Sequence, residues 1–221
     1  FAELRQHVAD TVTTLNHLGI GRNDRVAIVL PNGPSMASAF LAVATGATTA
    51  PLNPAYTADE YEFYLSDLDT KLLIVEAGSE SPACGAAANL GLEIAELKWS
   101  EDVKAGLFQL RGEAVGNGPR EGGFAEADDV ALVLHTSGTT SRPKIVPLSY
   151  DNLRASARHI GESLALTAND RCLNIMPLFH IHGLMAAVLA SLAAGGSVTC
   201  TPGFNALKFF SWMSDFKPTW Y

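Results

Sequence analysis

The sequence predicts an α/β protein with largely parallel sheets flanked by helices. Short apolar runs of strand length alternate with segments of helical periodicity, joined by brief turns, which is the pattern of βαβ units. Of the 221 residues, 48% are hydrophobic and 17% charged, a balance that supports a large buried core and excludes a disordered or fibrous chain. Right-handed crossovers then put helices on both faces of the sheet.

Leu4, Val8, Val12, Leu15 and Leu18 recur at three- and four-residue steps and form one face of a helix that ends at Gly19 and Gly21. Arg25 to Leu30 reads as a strand closed by Pro31-Asn32-Gly33, and Ser35 to Thr45 as a second helix stopped by Gly46. Ala47 to Leu52 is a short buried strand. Thr57 and Glu60 have capping-box spacing at the head of a helix through Leu68, and Lys71 to Val75 supplies the next strand. From Glu76 to Asp129 periodicity weakens; a strand is expected within Leu90 to Leu97, a helix over Ser100 to Leu110 and a surface loop over Arg111 to Gly123. Val130 to Leu134 is an unbroken apolar strand, and Ser149 caps a helix to about Leu164. Strands over Arg171 to Met176 and Ser197 to Cys200, with helices over His182 to Ala194 and Ala206 to Asp215, complete the pattern; Thr219-Trp220-Tyr221 begins another strand. The chain thus divides into first βα units (1–75), a variable region (76–129) and the units that carry the chemistry (130–221).

A net charge of −8 with no basic stripe excludes a nucleic-acid binder. Cys84, Cys172 and Cys200 are odd in number and widely spaced, which is no disulfide framework and points to a reducing, intracellular setting. No signal-peptide pattern opens the chain, and the apolar stretch Leu184 to Ala194 is too short to span a bilayer. A cytoplasmic location is expected; a peroxisomal one stays open, because any carboxy-terminal signal would lie outside this chain.

The chemistry concentrates in Thr136-Ser137-Gly138-Thr139-Thr140-Ser141-Arg142-Pro143-Lys144. Small residues let a backbone approach a ligand closely, and their N–H and O–H groups are donors for phosphate oxygens. Lys144 adds a point charge for the same anion. The Walker pattern is not met, since only Gly138 is present, Pro143 precedes the lysine and Ile145 follows it. The competing reading is a polar surface turn, because Ser, Thr, Gly and Pro are ordinary loop residues.

The loop Thr136 to Lys144 resembles the signature of adenylate-forming enzymes: acyl-CoA synthetases, luciferases and nonribosomal adenylation domains. It matches at Thr136, Ser137, Gly138, Thr139, Thr140, Pro143 and Lys144, and departs at Ser141 and Ile145, where that family usually has glycine. The block Pro177-Leu178-Phe179-His180-Ile181-His182-Gly183-Leu184 resembles the family's downstream aromatic-histidine motif. Asp24 to Asn32 and Pro51-Leu52-Asn53-Pro54 resemble its amino-terminal region, and Tyr150 stands where many relatives carry histidine. Pro51 to Thr57, Thr140 to Lys144 and Thr219 to Tyr221 bring the chain nearest to oxalate–CoA ligase-type synthetases.

The resemblance implies that a carboxylate attacks the α-phosphate of ATP, giving an acyl-adenylate and pyrophosphate, after which a thiol, usually coenzyme A, takes the acyl group. It assigns Thr136, Ser137, Gly138, Thr139, Thr140 and Ser141 to the β- and γ-phosphates, with Mg²⁺ neutralising the same charge. Lys144 matches the family's basic position or anchors the loop through a carboxylate. Ser141 in place of glycine limits access to positive φ while keeping a donor. His180 is the candidate catalytic residue, between acyl group and α-phosphate, able to steer the second carboxylate of a small diacid; the alternative is a core-packed histidine. Phe179 walls the acyl pocket or packs. His180 and His182 have no carboxylate or cysteine spaced to complete a metal site, so no protein-held metal is assigned.

Relatives in that family run to more than twice this length and carry downstream the adenine-stacking aromatic, the ribose-binding aspartate and a small domain with the lysine that bridges acyl carboxylate and α-phosphate. The expectation is therefore an amino-terminal piece of an acyl-CoA synthetase, inactive alone and prone to self-association through an exposed apolar edge. A half-length binding module with a separate partner chain, and an enzyme that loads a carrier-protein thiol, are the alternatives.

Overall fold

The apolar face of the first helix packs against the second helix, and both share one buried core with the first apolar strand. A computed structural model describes residues 1–116, 118–136 and 143–221. Helix α1 (Ala2–His17) buries Val12 and Leu15. After it come β1 (Arg25–Val29), α2 (Pro34–Gly46) and β2 (Thr48–Pro51). Pro34 starts α2 at a position where its missing N–H costs nothing. In α3 (Ala58–Asp67) the capping box is complete: the Glu60 carboxylate accepts from Thr57 N–H at 2.8 Å, and the Thr57 hydroxyl accepts from Glu60 N–H at 3.4 Å. Strand β3 (Leu72–Glu76), helix α4 (Pro82–Asn89) and strands β4 (Glu93–Lys98) and β5 (Gln109–Gly112) follow.

Among the described residues the main sheet has seven strands in the order β5-β4-β3-β1-β2-β6-β7, where β6 is Val130–Thr136 and β7 is Lys144–Ser149. All pairings from β4 through β6 are parallel; β5 and β7 are antiparallel edges. Residues of β1 and β3 alternate between two cores. Val26, Ile28, Leu72 and Ile74 face α1 and α2, whereas Ala27, Val29, Leu73 and Val75 face α3 and α4. Fully buried side chains such as Leu15, Phe40, Tyr61 and Leu65 each contribute roughly 1.5–3 kcal/mol by leaving water. The α/β reading with helices on both faces holds.

Beyond β7, α5 (Tyr150–Ser163) is capped by Ser149, whose hydroxyl accepts from Asn152 N–H at 3.2 Å. Strands β8 (Arg171–Asn174) and β9 (Ser197–Cys200) form a parallel pair, and Trp220 bridges to Cys172 as the chain's last strand-like contact. Between them lies a π-helix over His182–Ala190, which runs into the short α6 (Ser191–Ala193); α7 (Ala206–Phe216) follows β9. Leu178, Leu184, Met185 and Val188 join the core that holds Phe40 and Leu132, so both sheets share one apolar interior.

Four local readings change. Residues 100–108 form turns, not a helix: Val103 N–H donates to Ser100 and Leu107 N–H to Lys104, and the chain then enters β5. Helix α4 was hidden because it packs through small residues, Ala83, Ala86 and Ala87, with no large apolar periodicity. The expected surface loop over Arg111 to Gly123 begins inside β5, and the remainder is tied down, with Val115 N–H on Leu18 at 2.8 Å and Arg22 N–H on Glu121 at 2.7 Å. Gly19 permits that approach: its φ is +83°, and a Cβ there would lie 2.2 Å from the Val115 carbonyl oxygen. Finally, the residues after the hydroxyl-rich loop are strand before they are helix.

Candidate active site

Strands β6 and β7 pair antiparallel, and the hydroxyl-rich segment is the stretch of sequence that joins them. Thr136, the last residue of β6, is the register partner of Lys144, the first of β7, and the Thr136 hydroxyl donates to the Lys144 carbonyl at 3.4 Å. Both side chains are exposed. Strand β7 tolerates Pro147 because it is the sheet's edge, where a missing N–H breaks no ladder on the outer side. Ser137, Gly138, Thr139, Thr140, Ser141 and Arg142 lie outside the described residues. Thr136 stands at the carboxyl end of a strand that pairs parallel to β2, the end at which open α/β sheets bind ligands.

Both ends of β6 are held by charged side chains. At its start, Arg22 grips Asp129 through two hydrogen bonds of 2.6 and 3.3 Å and also reaches Glu126 at 2.7 Å, while Asn23 donates to Asp129 at 2.7 Å. The Arg22 guanidinium holds the Asp129 carboxyl below the usual carboxylate range. At its far end, His135 Nε2 lies 3.1 Å from Asp67 Oδ2, the carboxylate that ends α3. His135 and Asp67 were not singled out from sequence; the available signal was a histidine interrupting an apolar strand one residue before the loop.

Phe179 and His180 sit elsewhere, in the turn between β8 and the π-helix. His180 N–H donates to the Pro177 carbonyl at 3.3 Å, its carbonyl accepts from Leu184 N–H at 3.2 Å, and its Nδ1 accepts from His182 N–H at 3.4 Å. The imidazole is exposed and caps the helix start, so His180 is not a core-packed histidine. Phe179 is half-buried. Among the described residues, no hydrogen bond joins Thr136 or Lys144 to this turn.

Two features fix the turn. Asn32, just beyond β1, donates through Nδ2 to the Met176 carbonyl at 3.0 Å and accepts Leu178 N–H on Oδ1 at 2.8 Å. Gly183 lets the helix start close on the turn, since a Cβ there would lie 2.4 Å from the Pro177 carbonyl oxygen. Asn32 also lines a cavity of about 450 Å³ at the carboxyl ends of β1, β3 and β4, together with Met36, Leu97, Trp99 and Cys200. Trp99 Nε1 donates to Glu76 at 2.7 Å on its wall. A more open hollow of about 860 Å³ lies among α2, α5 and α6. Neither is lined by Phe179, His180, Thr136 or Lys144.

Comparison with known proteins decides the family. The model of the family described as AMP-binding enzyme matches residues 1–221. This chain belongs to the AMP-binding enzyme family. It is 41% identical over 214 residues to an oxalate–CoA ligase of Arabidopsis thaliana, covering 92% of this chain and 40% of that protein. It is 36% identical over 222 residues to an oxalate–CoA ligase of Saccharomyces cerevisiae, covering 90% of this chain and 41% of that one. Among solved structures, ATP-bound MatB from Rhodopseudomonas palustris superposes with a TM-score of 0.79 at 28% identity, over 97% of this chain and 42% of MatB. The chain therefore spans about 40% of the length of these AMP-binding relatives.

Proposed function

We propose that this chain is the amino-terminal adenylation region of an ATP-dependent, AMP-forming carboxylic acid–CoA ligase that acts on a small acid, with oxalate the first candidate. The observation that carries the reading is the hydroxyl-rich sequence between Thr136 and Lys144, which pair at the carboxyl end of β6, in a chain 41% identical to an oxalate–CoA ligase. Residues 130–221 are then the unit that carries the phosphate and acyl groups, and 1–129 its scaffold.

In this reading a carboxylate oxygen of the acid attacks the α-phosphorus of ATP, and the bond to pyrophosphate breaks. The negative charge that gathers on the leaving pyrophosphate is the charge a preorganised donor set must meet. Thr136, Ser137, Gly138, Thr139, Thr140 and Ser141 supply hydroxyl and backbone donors to the β- and γ-phosphates, and Lys144 supplies a fixed positive charge. Hydroxyl oxygens are hard ligands suited to Mg²⁺, which when bound with ATP would neutralise part of the same charge. Phe179 walls the acyl pocket. The exposed His180 imidazole orients the acid, and a second carboxylate on the acid is the group it would recognise best. The thiol of CoA then attacks the acyl carbon and AMP leaves.

The test is CoA-thioester formation by the full-length protein with oxalate and a panel of other small acids, beside the 221-residue chain alone. Oxalyl-CoA from the full-length protein and no turnover by the chain alone is the expected result. Robust pyrophosphate release by the chain alone would contradict the assignment to a partial catalytic region, and thioester formation only with other acids would remove oxalate.

A further inference from the structure

From the alternation along β6, Val133 and His135 face α3, whereas Leu132 and Leu134 face α2. His135 therefore enters an otherwise apolar layer, and its side chain is only 7% exposed. A buried imidazole is costly unless its N–H finds a partner. Asp67 supplies one, with Oδ2 3.1 Å from Nε2; against an ionised carboxylate, the tautomer protonated on Nε2 is the one that donates. Asp67 ends α3, where the helix dipole disfavours negative charge, and is only 14% exposed. The Tyr64 ring meets the imidazole edge-on at 4.6 Å and stacks on Tyr56 at 4.7 Å, which leaves His135 little rotational freedom. Two largely buried polar side chains thus meet one residue before Thr136.

From this geometry we infer that His135, oriented by Asp67, is a positioning residue for ATP binding: it fixes the carboxyl end of β6 and with it Thr136, the first of the proposed phosphate-contacting residues. The inference rests on the adenylation reading for its ligand but not for its geometry. A side chain that acts in this way changes the affinity for ATP and the order of the strand end. One that merely fills space changes only overall stability.

The test uses three forms of the full-length protein: wild type, His135→Phe and His135→Gln. Phenylalanine keeps the volume and the packing on Tyr64 but cannot donate, whereas the glutamine amide reaches about as far as Nε2 and restores the donor. For His135→Phe we expect KM for ATP to rise about tenfold or more, the loss of one hydrogen bond to a charged group, with KM for the acid nearly unchanged. Amide hydrogen exchange at Thr136 and Lys144 should quicken while exchange in β1 and β3 stays native. His135→Gln should recover most of both effects. Native KM for ATP together with native exchange at Thr136 and Lys144 in His135→Phe would overturn the inference, as would a uniform rise in exchange across the sheet. A wild type without any acid-dependent use of ATP sinks the adenylation reading instead, and the exchange pattern alone then decides whether His135 positions the strand end.

Discussion

Asn32 and Leu178 are joined across the two sheets: the Asn32 carboxamide oxygen accepts Leu178 N–H at 2.8 Å while its amide donates to the neighbouring Met176 carbonyl at 3.0 Å. One side chain just after β1 thus satisfies two backbone groups of the turn that carries Phe179 and His180. Leucine at this position would strand both groups in a half-buried setting. Asn32→Leu should lose roughly 2–4 kcal/mol by denaturant unfolding. Its activity loss should appear in KM for the acid more than in KM for ATP, since the proposed function puts this turn on the acyl side of the site. Equal effects on the two KM values would detach Asn32 from that turn's function.

Gly183 predicts a steric effect of similar size. The nearest atom to a new Cβ is a backbone oxygen, which has no flexible end to move away. Gly183→Ala should therefore shift the Pro177–His180 turn and destabilise by roughly 1–3 kcal/mol, the usual range for overpacking. Differential scanning calorimetry checks it; an unchanged melting temperature would mean that the helix start yields freely.

His7 makes stability depend on pH. Its ring packs edge-on against Phe108 at 4.3 Å, its Nε2 is buried without a hydrogen-bond partner among the described residues, and burial pushes its pKa below the ordinary 6.5. In the unfolded chain the imidazole takes up its proton near pH 6.5, and in the native protein only at lower pH. Between those points the unfolded state binds more protons, so stability falls as pH drops below about 6.5 and rises again on return. Urea midpoints measured from pH 7.5 to 5 should show this slope in wild type and a shallower one in His7→Leu. Parallel slopes would remove His7 as the cause.

The α7 face predicts association of the isolated chain. On α7 Leu207 is 95% exposed and Phe210 78%, and Phe204, just before the helix, 65%, a concentration of apolar surface unusual for a monomer. Sedimentation of the 221-residue chain should reveal concentration-dependent association that Leu207→Lys with Phe210→Glu abolishes. A clean monomer at high concentration would contradict this.

Much of the fold was legible because the strong signals are local. The Thr57–Glu60 capping box, the Ser149 cap and the apolar runs of β1, β3 and β6 each act through near neighbours in sequence. The elements that escaped carry little periodic contrast of their own. Strand β7 reads as a featureless Lys-Ile-Val-Pro-Leu-Ser and becomes a strand because β6 offers an open edge to pair with. Helix α4 packs through alanines, which carry no periodic contrast, although Ser81 and Pro82 were a usable start signal. The same limit applies to the site. Thr136 and Lys144 advertise themselves by residue type, and so does His180. Asn32 and the Asp67–His135 pair act through contacts made across 146 and 68 positions of sequence, which no motif encodes.

The central claim is that the segment bounded by Thr136 and Lys144 serves ATP during activation of a small acid. Acid-dependent exchange of labelled pyrophosphate into ATP by the full-length protein tests it most directly, because only reversible adenylation produces that label. Exchange with oxalate is expected in wild type, and Lys144→Ala should raise KM for ATP about ten- to hundredfold, as loss of a charged contact to phosphate does. Absence of exchange with every small acid, or a Lys144→Ala protein with native KM for ATP, would contradict the account.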